Sequence, residues 1–588
     1  MKYTLNTSNT KTQGTVMTAL TRLVPLMRGE GRSIAIAFAA ILVSSASTLL
    51  APYIIGHTID TFIVRKDFHG VLVWSGMLLV VYLFGLASSY IQTITMGSVG
   101  RRVLFNLRNT LFTKLQELPI AFFNQNKAGD LISRINNDTD KLNQFFAQAL
   151  MQFLGNAFLI VGAGIFLLVL NFKLGLVSLA PALGVLLVTL VLGGWVRRKN
   201  LASLQSTGSL SGEVQESLEN FKVIVAFNRV DYFRKKFDDV NQKNYVASVS
   251  AGIANNIFTP VYGLAYNLAQ LAVLAYGIYL ISVGGTTIGL LIGFLLYVTN
   301  FYNPLRQLAS VWSSWQLALA GLDRISEVLQ LESDMPRMVE GAAQMHGKVD
   351  AVLEFANVGF TYPEGKEVLR DSSFTLMPGK TYALVGPTGG GKTTNASLMA
   401  RLFDPTQGAV YLNGKNIQSY EPEVRAEKIG FILQEPFLFS GTVRDNIVYG
   451  NKKYHDYTGD KLRALLEDKG LSELLARFEG GLETKVATSG DSISLGQKQL
   501  IAFMRAALRE PDLLILDEAT ANIDTVTEQM LEDILQKFPP SITKVIIAHR
   551  LNTIAAADEI FFVNGGEVTP AGSMEHAVEM LLHGKRKS

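Results

Sequence analysis

The sequence of 588 residues contains no cysteine, and only 18% of its residues are charged. The absence of cysteine excludes disulfides, cysteine-ligated metal sites and thiol catalysis, but it does not identify a redox compartment. The formal net charge of +3 is close to neutral for this length, so the charge balance does not favour a nucleic-acid partner. With 48% hydrophobic residues the chain is more apolar than most soluble enzymes, and it is too long for one core. We therefore expect two unlike parts.

The N-terminal segment 1–21 also lacks an apolar stretch of the signal-peptide type. It is rich in Thr and Asn, and this composition predicts a flexible tail. Membrane targeting is therefore expected to come from the first spanning helix that follows the tail.

Long stretches without Asp, Glu, Lys or Arg dominate the first half of the sequence. A helix needs about 20 apolar residues to cross a hydrocarbon core of about 30 Å, because its backbone polar groups must be bonded internally. Buried helices of a soluble domain normally keep a charged outer stripe, which these stretches lack. The longest stretch is broken by Gly284-Gly285-Thr286-Thr287, which predicts two helices there. The sequence thus predicts a transmembrane domain over 22–330, with six helices near 33–56, 70–100, 142–172, 174–196, 252–281 and 288–312.

Basic residues concentrate in two connections, between the second and third helices and between the fourth and fifth. By the positive-inside rule these connections and both termini are expected to be cytoplasmic, whereas the short turn Asn171-Phe172-Lys173 is outside. Both connections are predicted to be helical, at Val103–Leu118 and Ser211–Phe227, so the spanning helices are expected to continue into the cytoplasm. The sequence therefore predicts a multi-pass protein located in a bacterial cytoplasmic membrane.

A phosphate-binding α/β domain is predicted over 349–588, after a linker at 331–348. A strand at Thr381–Val385 leads into a complete phosphate-loop motif, Gly386-Pro387-Thr388-Gly389-Gly390-Gly391-Lys392-Thr393. We expect this loop and Thr394, where a helix begins, to bind ATP through backbone N–H groups. Lys392 reaches the β- and γ-phosphates in this motif, and the Thr393 hydroxyl ligates Mg²⁺.

A second apolar strand, Leu513–Leu516, places Asp517 and Glu518 at its carboxyl end. Asp517 is expected to hold Mg²⁺, and Glu518 is expected to orient and polarise the attacking water. A third predicted strand, Lys544–Ala548, ends at His549, whose imidazole is a candidate contact of the γ-phosphate.

The residues around these strands resemble those of one class of phosphate-loop protein. Shortly before the Asp-Glu strand, Ile493–Gln499 is similar to the L-S-G-G-Q signature of ATP-binding cassette (ABC) proteins. Four other positions resemble the adenine-stacking aromatic, the Q-loop, the D-loop and the switch histidine of that family, namely Tyr362, Gln434, Asp524 and His549. Because six predicted helices precede this domain, the chain resembles an ABC exporter half-transporter over nearly its whole length.

The resemblance implies roles for these residues. In ABC exporters two ATPase domains close head to tail, and each ATP lies between the phosphate loop of one domain and the signature of the other. Gln434 is implied as an Mg²⁺ ligand beside Thr393 and Asp517, and Glu518 and His549 are implied as catalytic residues. The residues implied to contact the partner's ATP are Ser494, Leu495, Gly496 and Gln497.

The resemblance also implies how ATP moves the membrane helices. ATP binding closes the two domains and favours an outward-facing state, and hydrolysis reopens them. Segments around Phe122–Ser133 and Ser211–Phe227 resemble the two cytoplasmic loops whose tips dock on the ATPase domains.

Leu495 departs from the family pattern, because it stands where the signature has its first Gly. This places a branched side chain beside the γ-phosphate, where close backbone approach is normally needed. Together with a Glu at 518, this pattern resembles one subunit of the heterodimeric bacterial multidrug exporters. The implied partner is a different ABC subunit with a degenerate catalytic glutamate; the alternative is a homodimer that tolerates Leu495.

The lack of charge in the helices favours a lipophilic or amphipathic cargo. Five aromatic residues of the last two helices are candidates for lining the substrate cavity: Tyr262, Tyr266, Phe294, Tyr297 and Phe301. For each of them, ordinary helix packing is the competing interpretation. The sequence therefore predicts ATP-driven export of the multidrug efflux type. A lipid or glycolipid flippase of the same fold is the alternative, whereas a soluble ABC ATPase and an importer are disfavoured by the fused helices.

Overall fold

The computed structural model describes residues 3–5, 29–336, 338, 348, 350–363, 365, 367–433, 436–487, 493–517, 525–547 and 557–583. The chain forms two compact units. The helical unit consists of Asn6–Gln116 and Gly129–Gln330, and the α/β unit consists of Met1–Leu5, Glu117–Ala128 and Leu331–Ser588. The helices up to residue 330 are α1 (Gly31–Thr58), α2 (Phe68–Glu117), α3 (Ile120–Gln125), α4 (Ala128–Ser133), α5 (Thr139–Gln144), α6 (Leu150–Leu170), α7 (Phe172–Glu219), α8 (Phe221–Ala226), α9 (Val230–Asn256), α10 (Phe258–Ser282) and α11 (Ile288–Leu329).

Within the described residues, six helical segments are long and apolar enough to cross a membrane. The six predicted helices are confirmed by these spans, and most of them extend well beyond the apolar stretches because polar helical segments continue them. A short π-helical turn extends α1 to Ile63, and two further π-helical turns link α4, α5 and α6. The spans are Gly31–Ile63, Phe68–Glu117, Ala128–Leu170, Phe172–Glu219, Val230–Ser282 and Ile288–Leu308.

The two predicted breaks between spanning helices are also present. At the first, Asn171 alone separates α6 from α7, and its Oδ1 accepts the N–H of Leu174 at 3.1 Å. A side chain at Gly175 would meet the carbonyl oxygen of Leu167 at 2.4 Å, so glycine permits this tight turn. At the second, α10 ends at Ser282 and α11 begins at Ile288.

The start of α11 is capped by a carboxylate from the end of the first span. Asp60 accepts the N–H groups of Gly289 and Leu290 at 2.7 and 3.1 Å, together with the hydroxyl of Thr287. The first four N–H groups of a helix have no partner within the helix, and a negative charge is favoured there. Asp60 therefore fastens the first span to the sixth within the helical unit.

The α/β unit contains two main sheets. Strands β1 (Leu353–Thr361), β2 (Glu367–Leu376), β4 (Gln407–Leu412) and β5 (Lys415–Asn416) form an antiparallel sheet in the order β2-β1-β4-β5. The second sheet comprises β3 (Thr381–Val385), β6 (Ile429–Ile432), β9 (Leu513–Asp517), β10 (Thr543–Ile547), β11 (Glu559–Asn564) and β12 (Glu567–Pro570). Its strand order is β12-β11-β3-β10-β9-β6, and all of its strands are parallel except β12. A small pair of β7 (Gly441–Thr442) and β8 (Lys485–Val486) completes the strands described.

Residues from helices and strands of the α/β unit form two apolar clusters. The described helices of this unit beyond residue 330 are α12 (Lys392–Met399), α13 (Pro422–Lys428), α14 (Val443–Ile447), α15 (Gly459–Asp468), α16 (Ser472–Leu475), α17 (Leu495–Arg509), α18 (Thr525–Lys537) and α19 (Met574–His583). A helical membrane domain followed by an α/β domain is the fold class that the sequence predicts, and it is confirmed.

Two predicted boundaries differ from the structure. Tyr3–Leu5, which fall within the tail predicted over 1–21, belong to the α/β unit, where Tyr3 is 1% exposed. The rest of that predicted tail lies outside the described residues. The segment Glu117–Ala128, which contains α3, also belongs to the α/β unit although it falls within the predicted transmembrane domain 22–330. Composition did not show either result, because both depend on contacts that are distant in sequence.

Candidate nucleotide-binding site

The phosphate loop connects β3 to α12. Gly386 and Gly391 adopt φ values of +148° and +111°, which side-chain-bearing residues rarely adopt. A Cβ atom at Gly386 would lie 2.0 Å from the carbonyl oxygen of Val563, and one at Gly390 would lie 2.6 Å from the same oxygen. The loop therefore packs closely on the end of β11, and its glycines allow that approach.

Lys392 is the first residue of α12 and is buried. Its Nζ donates to the carbonyl oxygens of Gly386 and Pro387 at 2.8 and 3.1 Å, which holds the ammonium group over the loop. The N-cap residue of α12 is Gly391, which supplies no side-chain cap. Uncapped N–H groups at a helix start and a nearby ammonium group form a site suited to phosphate.

Thr393 and Asp517 come together although they are far apart in sequence. Asp517 ends β9, which lies two strands from β3 in the sheet, and it is 5% exposed. The Thr393 hydroxyl donates to its Oδ1 at 3.4 Å. A hydroxyl and a carboxylate are oxygen ligands of the kind that Mg²⁺ uses together with phosphate oxygens and water. These two residues therefore fit the predicted Mg²⁺ site.

Tyr362 follows β1 and is half-buried beside the start of α12. Its hydroxyl lies 3.2 Å from that of Thr394, and its ring packs edge-on against Phe360 and Phe403. Because Tyr362 is only half-buried, part of its side chain remains accessible, which is compatible with the predicted stacking on adenine.

The signature segment forms the start of α17. Ser494 is the N-cap: its Oγ accepts the N–H of Gln497 at 3.2 Å, and Gln497 Oε1 accepts the N–H of Ser494 at 3.0 Å. Gln497 Nε2 also donates to the carbonyl oxygen of Arg477 at 3.0 Å. Leu495 follows as a half-buried first helical residue. This capping box was missed in the sequence analysis, although the S-x-x-Q spacing is its signal.

Four predicted site residues, Gln434, Glu518, Asp524 and His549, lie outside the described residues. The strands that precede two of them are described. β9 ends at Asp517 and β10 ends at Ile547, and these two residues are paired in the parallel register. Both strands thus reach the same edge of the sheet immediately before the segments that contain Glu518 and His549.

The predicted cavity residues of the helical unit divide into two groups. Phe294 and Tyr297 have no exposed surface, and Tyr297 donates to the carbonyl oxygen of Leu49 at 2.7 Å. Packing, the competing interpretation, accounts for these two, and Tyr262 is also buried. Tyr266 and Phe301 are half-buried, and for them the cavity role stays a prediction.

The Tyr266 hydroxyl belongs to a polar network within the bundle. It accepts a hydrogen bond from Gln270 Nε2 at 2.7 Å and lies 3.2 Å from the hydroxyl of Thr299. Polar side chains of spanning helices commonly bond across helices, because lipid supplies no partner. The network therefore orients Tyr266 within the helical unit.

A phosphate loop, an acidic strand end and a signature-like helix, fused to six apolar helices, define a membrane transporter driven by ATP hydrolysis. Comparison with known families agrees. A model of the ABC transporter transmembrane region matches residues 34–305, and a model described as ABC transporter matches residues 369–521. The chain belongs to the ABC transporter family and is a half-transporter with one membrane part and one ATP-hydrolysing part.

Several bacterial ABC proteins are similar to this chain over most of their length. The uncharacterized ABC transporter ATP-binding protein YfiC of Bacillus subtilis is 33% identical over 92% of this chain and 88% of its own. A multidrug resistance ABC transporter ATP-binding and permease protein of Lactococcus lactis is 31% identical over 85% and 84%. A fatty acid ABC transporter ATP-binding/permease protein of Mycobacterium tuberculosis is 31% identical over 86% and 79%.

Proposed function

We propose that this chain is one subunit of an exporter that moves lipophilic or amphipathic compounds out of the cytoplasm by alternating access. The observation that carries the proposal is the absence of Asp, Glu, Lys and Arg from the apolar cores of the spans. An intramembrane charge is costly and is normally kept for a charged substrate or ion. The multidrug resistance relative from Lactococcus lactis supports the same substrate class.

The nucleotide is ATP with Mg²⁺ in this proposal. Lys392 and the loop N–H groups hold the phosphates, and Thr393, Asp517 and Gln434 hold the metal. Bound ATP supplies the phosphoanhydride bond whose hydrolysis releases the closed state. Glu518 holds and polarises the attacking water, and His549 contacts the γ-phosphate.

The second subunit is a different ABC protein in this proposal. Support comes from the signature helix, where Leu495 occupies the position of a Gly and Ser494 already caps its own helix. Glu518 then acts opposite an intact signature on the partner, whereas Leu495 faces a site that hydrolyses ATP poorly. The homodimer remains the alternative to be tested.

The basic connections and the α/β unit lie on the cytoplasmic side of a bacterial cell membrane in this proposal. Helix α8 supports the assignment of Ser211–Phe227 as a docking loop. Three of its apolar side chains are more than half exposed in the single chain: Phe221 at 58%, Val223 at 54% and Val225 at 51%. An apolar, exposed helix between polar extensions is suited to contact with an ATPase domain.

A lipid or glycolipid flippase is the second candidate. The relative named a fatty acid transporter favours it, because its substrate class is a lipid. The fold and the nucleotide site are the same for both candidates, so only substrate measurements separate them.

Reconstitution tests the substrate and the partner together. The chain is purified alone and with its genomic neighbour, and each preparation is placed in nanodiscs and liposomes. We expect a lipophilic cationic dye to stimulate ATPase activity and to be transported only by the pair. Translocation of a fluorescent phospholipid without any response to the dye would favour the flippase. Brisk ATPase activity and transport by the lone chain would contradict the heterodimer.

A further inference from the structure

Tyr3–Leu5 bind between α3 and the linker that begins at Leu331, all within the α/β unit. Their backbone is held by two side chains at the end of α3. The N–H of Tyr3 donates to Gln125 Oε1 at 2.8 Å, and Asn126 donates to the carbonyl oxygen of Tyr3 at 2.9 Å while its Oδ1 accepts the N–H of Leu5 at 3.0 Å. The Asn126 side chain thus both donates to and accepts from the backbone of this segment, as the backbone of a neighbouring β-strand would.

The side chain of Tyr3 connects α3 to the linker. Its ring lies edge-on to Phe122 of α3, with ring centroids 6.3 Å apart. Its hydroxyl donates to the carbonyl oxygen of Glu332 at 3.2 Å and accepts the N–H of Asp334 at 2.7 Å. Burial raises the pKa of Tyr3 to about 12, so the hydroxyl keeps its proton at physiological pH.

The same linker is fastened to the end of the phosphate-loop helix. Arg401 follows α12, which ends at Met399, and is buried. Its guanidinium donates to the carbonyl oxygens of Pro336 and Gln418 at 3.0 and 3.2 Å and forms an ion pair with Asp404 at 2.9 Å. The first residues of the linker are therefore held by Tyr3 at Glu332 and Asp334 and by Arg401 at Pro336.

These contacts form a continuous chain from the nucleotide site to a segment between two spanning helices. It begins at Lys392, runs along α12 to Arg401, and passes through the linker to Tyr3 and α3. Helix α3 follows the second span and precedes the third in sequence. Chains of packed and hydrogen-bonded elements can carry coupling between distant sites, and each element of this path is bonded to the next.

We propose that Tyr3 is a positioning residue for energy coupling: it holds α3 to the linker that Arg401 ties to the phosphate-loop helix. Displacement of α12 on ATP binding and hydrolysis is then transmitted through the linker to α3. Loss of the Tyr3 contacts leaves the nucleotide site intact but transmits less of its motion. The proposal holds for any substrate of the exporter.

The test uses the full transporter, with its partner subunit, in liposomes. Tyr3→Phe keeps the ring on Phe122 and removes both hydroxyl hydrogen bonds, and Tyr3→Ala removes the ring as well. Thr4→Ala is the matched control, because Thr4 is exposed and its hydroxyl is 3.4 Å from Gln125 Oε1. We expect dye transport per ATP hydrolysed to fall about tenfold in Tyr3→Ala and about threefold in Tyr3→Phe, with basal ATPase activity within about twofold.

A second readout needs no substrate. Because the chain has no cysteine, Lys127→Cys places one spin label in this subunit, at an exposed position next to α3. ATP with vanadate is expected to change the label's spectrum in the parent protein and in Thr4→Ala, and to change it much less in Tyr3→Phe. An unchanged response in Tyr3→Phe together with unchanged transport per ATP would overturn the proposal. A parallel loss of ATPase activity, transport and melting temperature would also overturn it, because that pattern belongs to a purely structural role.

The role of Arg401 is tested by combining a substitution of Arg401 with one of Tyr3. Arg401→Lys keeps the charge but loses the planar fork that holds two carbonyl oxygens. If both residues act through the linker, Tyr3→Phe and Arg401→Lys have less than additive effects on transport per ATP. Full additivity would overturn the path through Arg401.

Discussion

Two helices of the α/β unit begin at phosphate-binding motifs, and they begin differently. Helix α12 starts after Gly391, which has no side chain to cap it, and Lys392 stands at its first position. Helix α17 starts after Ser494, which forms a capping box with Gln497, and Leu495 stands at its first position. The first helix leaves its N–H groups for a ligand, whereas the second satisfies one of them with its own serine.

In the heterodimer that we propose, this difference makes the chain contribute unequally to two nucleotide sites. A phosphate needs N–H donors at close range, which α12 provides without competition. In our proposal, a ligand at α17 has to compete with the Ser494 cap and to approach past the Leu495 side chain. The proposal therefore assigns hydrolysis to the phosphate-loop side of this chain and poor hydrolysis to the site that its signature faces.

The largest effect is expected from a substitution of Glu518. This substitution tests whether ATP hydrolysis depends on the nucleotide site that contains the phosphate loop of this chain. Glu518→Gln is expected to slow ATP hydrolysis by the complete transporter about 100-fold or more, because water activation is lost. ATP binding is expected to persist, because Lys392 and the loop are unchanged. Steady-state ATPase assays and nucleotide binding measure the two quantities.

Glu559→Gln is the control for this prediction. Glu559 pairs with Lys380 at the opposite end of the strands from the phosphate loop, so its loss removes a carboxylate without touching the site. Near-normal turnover in Glu518→Gln would remove Glu518 from its catalytic role.

An intermediate effect is expected at the signature. Leu495→Gly removes the branched side chain and is expected to raise ATP retention at the second site about three- to tenfold, the equivalent of one additional hydrogen bond. Photo-crosslinking of an azido-ATP to the pair, in the Glu518→Gln background, measures retention. Leu495→Ile keeps the branch and serves as the control. A strong gain of hydrolysis by Leu495→Gly in the lone chain would contradict the inequality and favour the homodimer.

The smallest expected effect concerns the cap itself. Ser494→Ala is expected to destabilise the α/β unit by about 1 kcal/mol, which lowers the melting temperature by about 2–4 °C for a domain of this size. Thr442→Ala is the matched control, because Thr442 forms the same kind of capping box with Asp445 at the start of α14. Both variants are expected to lose similar stability, measured by calorimetry. Retention of ATP at the second site is expected to change in Ser494→Ala but not in Thr442→Ala. Equal ATP retention in the two variants would show that Ser494 acts only as a helix cap.

Features with strong local signals were predicted well from the sequence. Six spans follow from uncharged stretches longer than a bilayer requires, and the break before α11 follows from Gly284-Gly285-Thr286-Thr287. The phosphate loop follows from residues that are adjacent in sequence. Even the meeting of Thr393 with Asp517 was expected, because parallel strands place their carboxyl ends at one edge of a sheet.

Features that depend on distant contacts were not predicted. The composition of the first residues is that of a flexible tail, and only the surrounding α3 and linker bury Tyr3. The cap that Asp60 places on α11 joins residues more than two hundred positions apart, and no local pattern reveals it. The sequence around the aromatic residues of the last two spans does not distinguish them, so only the packing separates the buried Tyr297 from the half-buried Tyr266.

The division of the chain between its two units has a practical consequence for fragments of this protein. The polypeptide passes from one unit to the other four times, after Leu5, Gln116, Ala128 and Gln330. A single protease cut in the linker would therefore leave Tyr3–Leu5 and α3 covalently joined to the helical unit, and it would separate them from the strands of the α/β unit. A gene fragment that starts at Val349 would encode every strand of the α/β unit but neither α3 nor Tyr3, and its nucleotide site would respond to ATP without the segment that passes the response on.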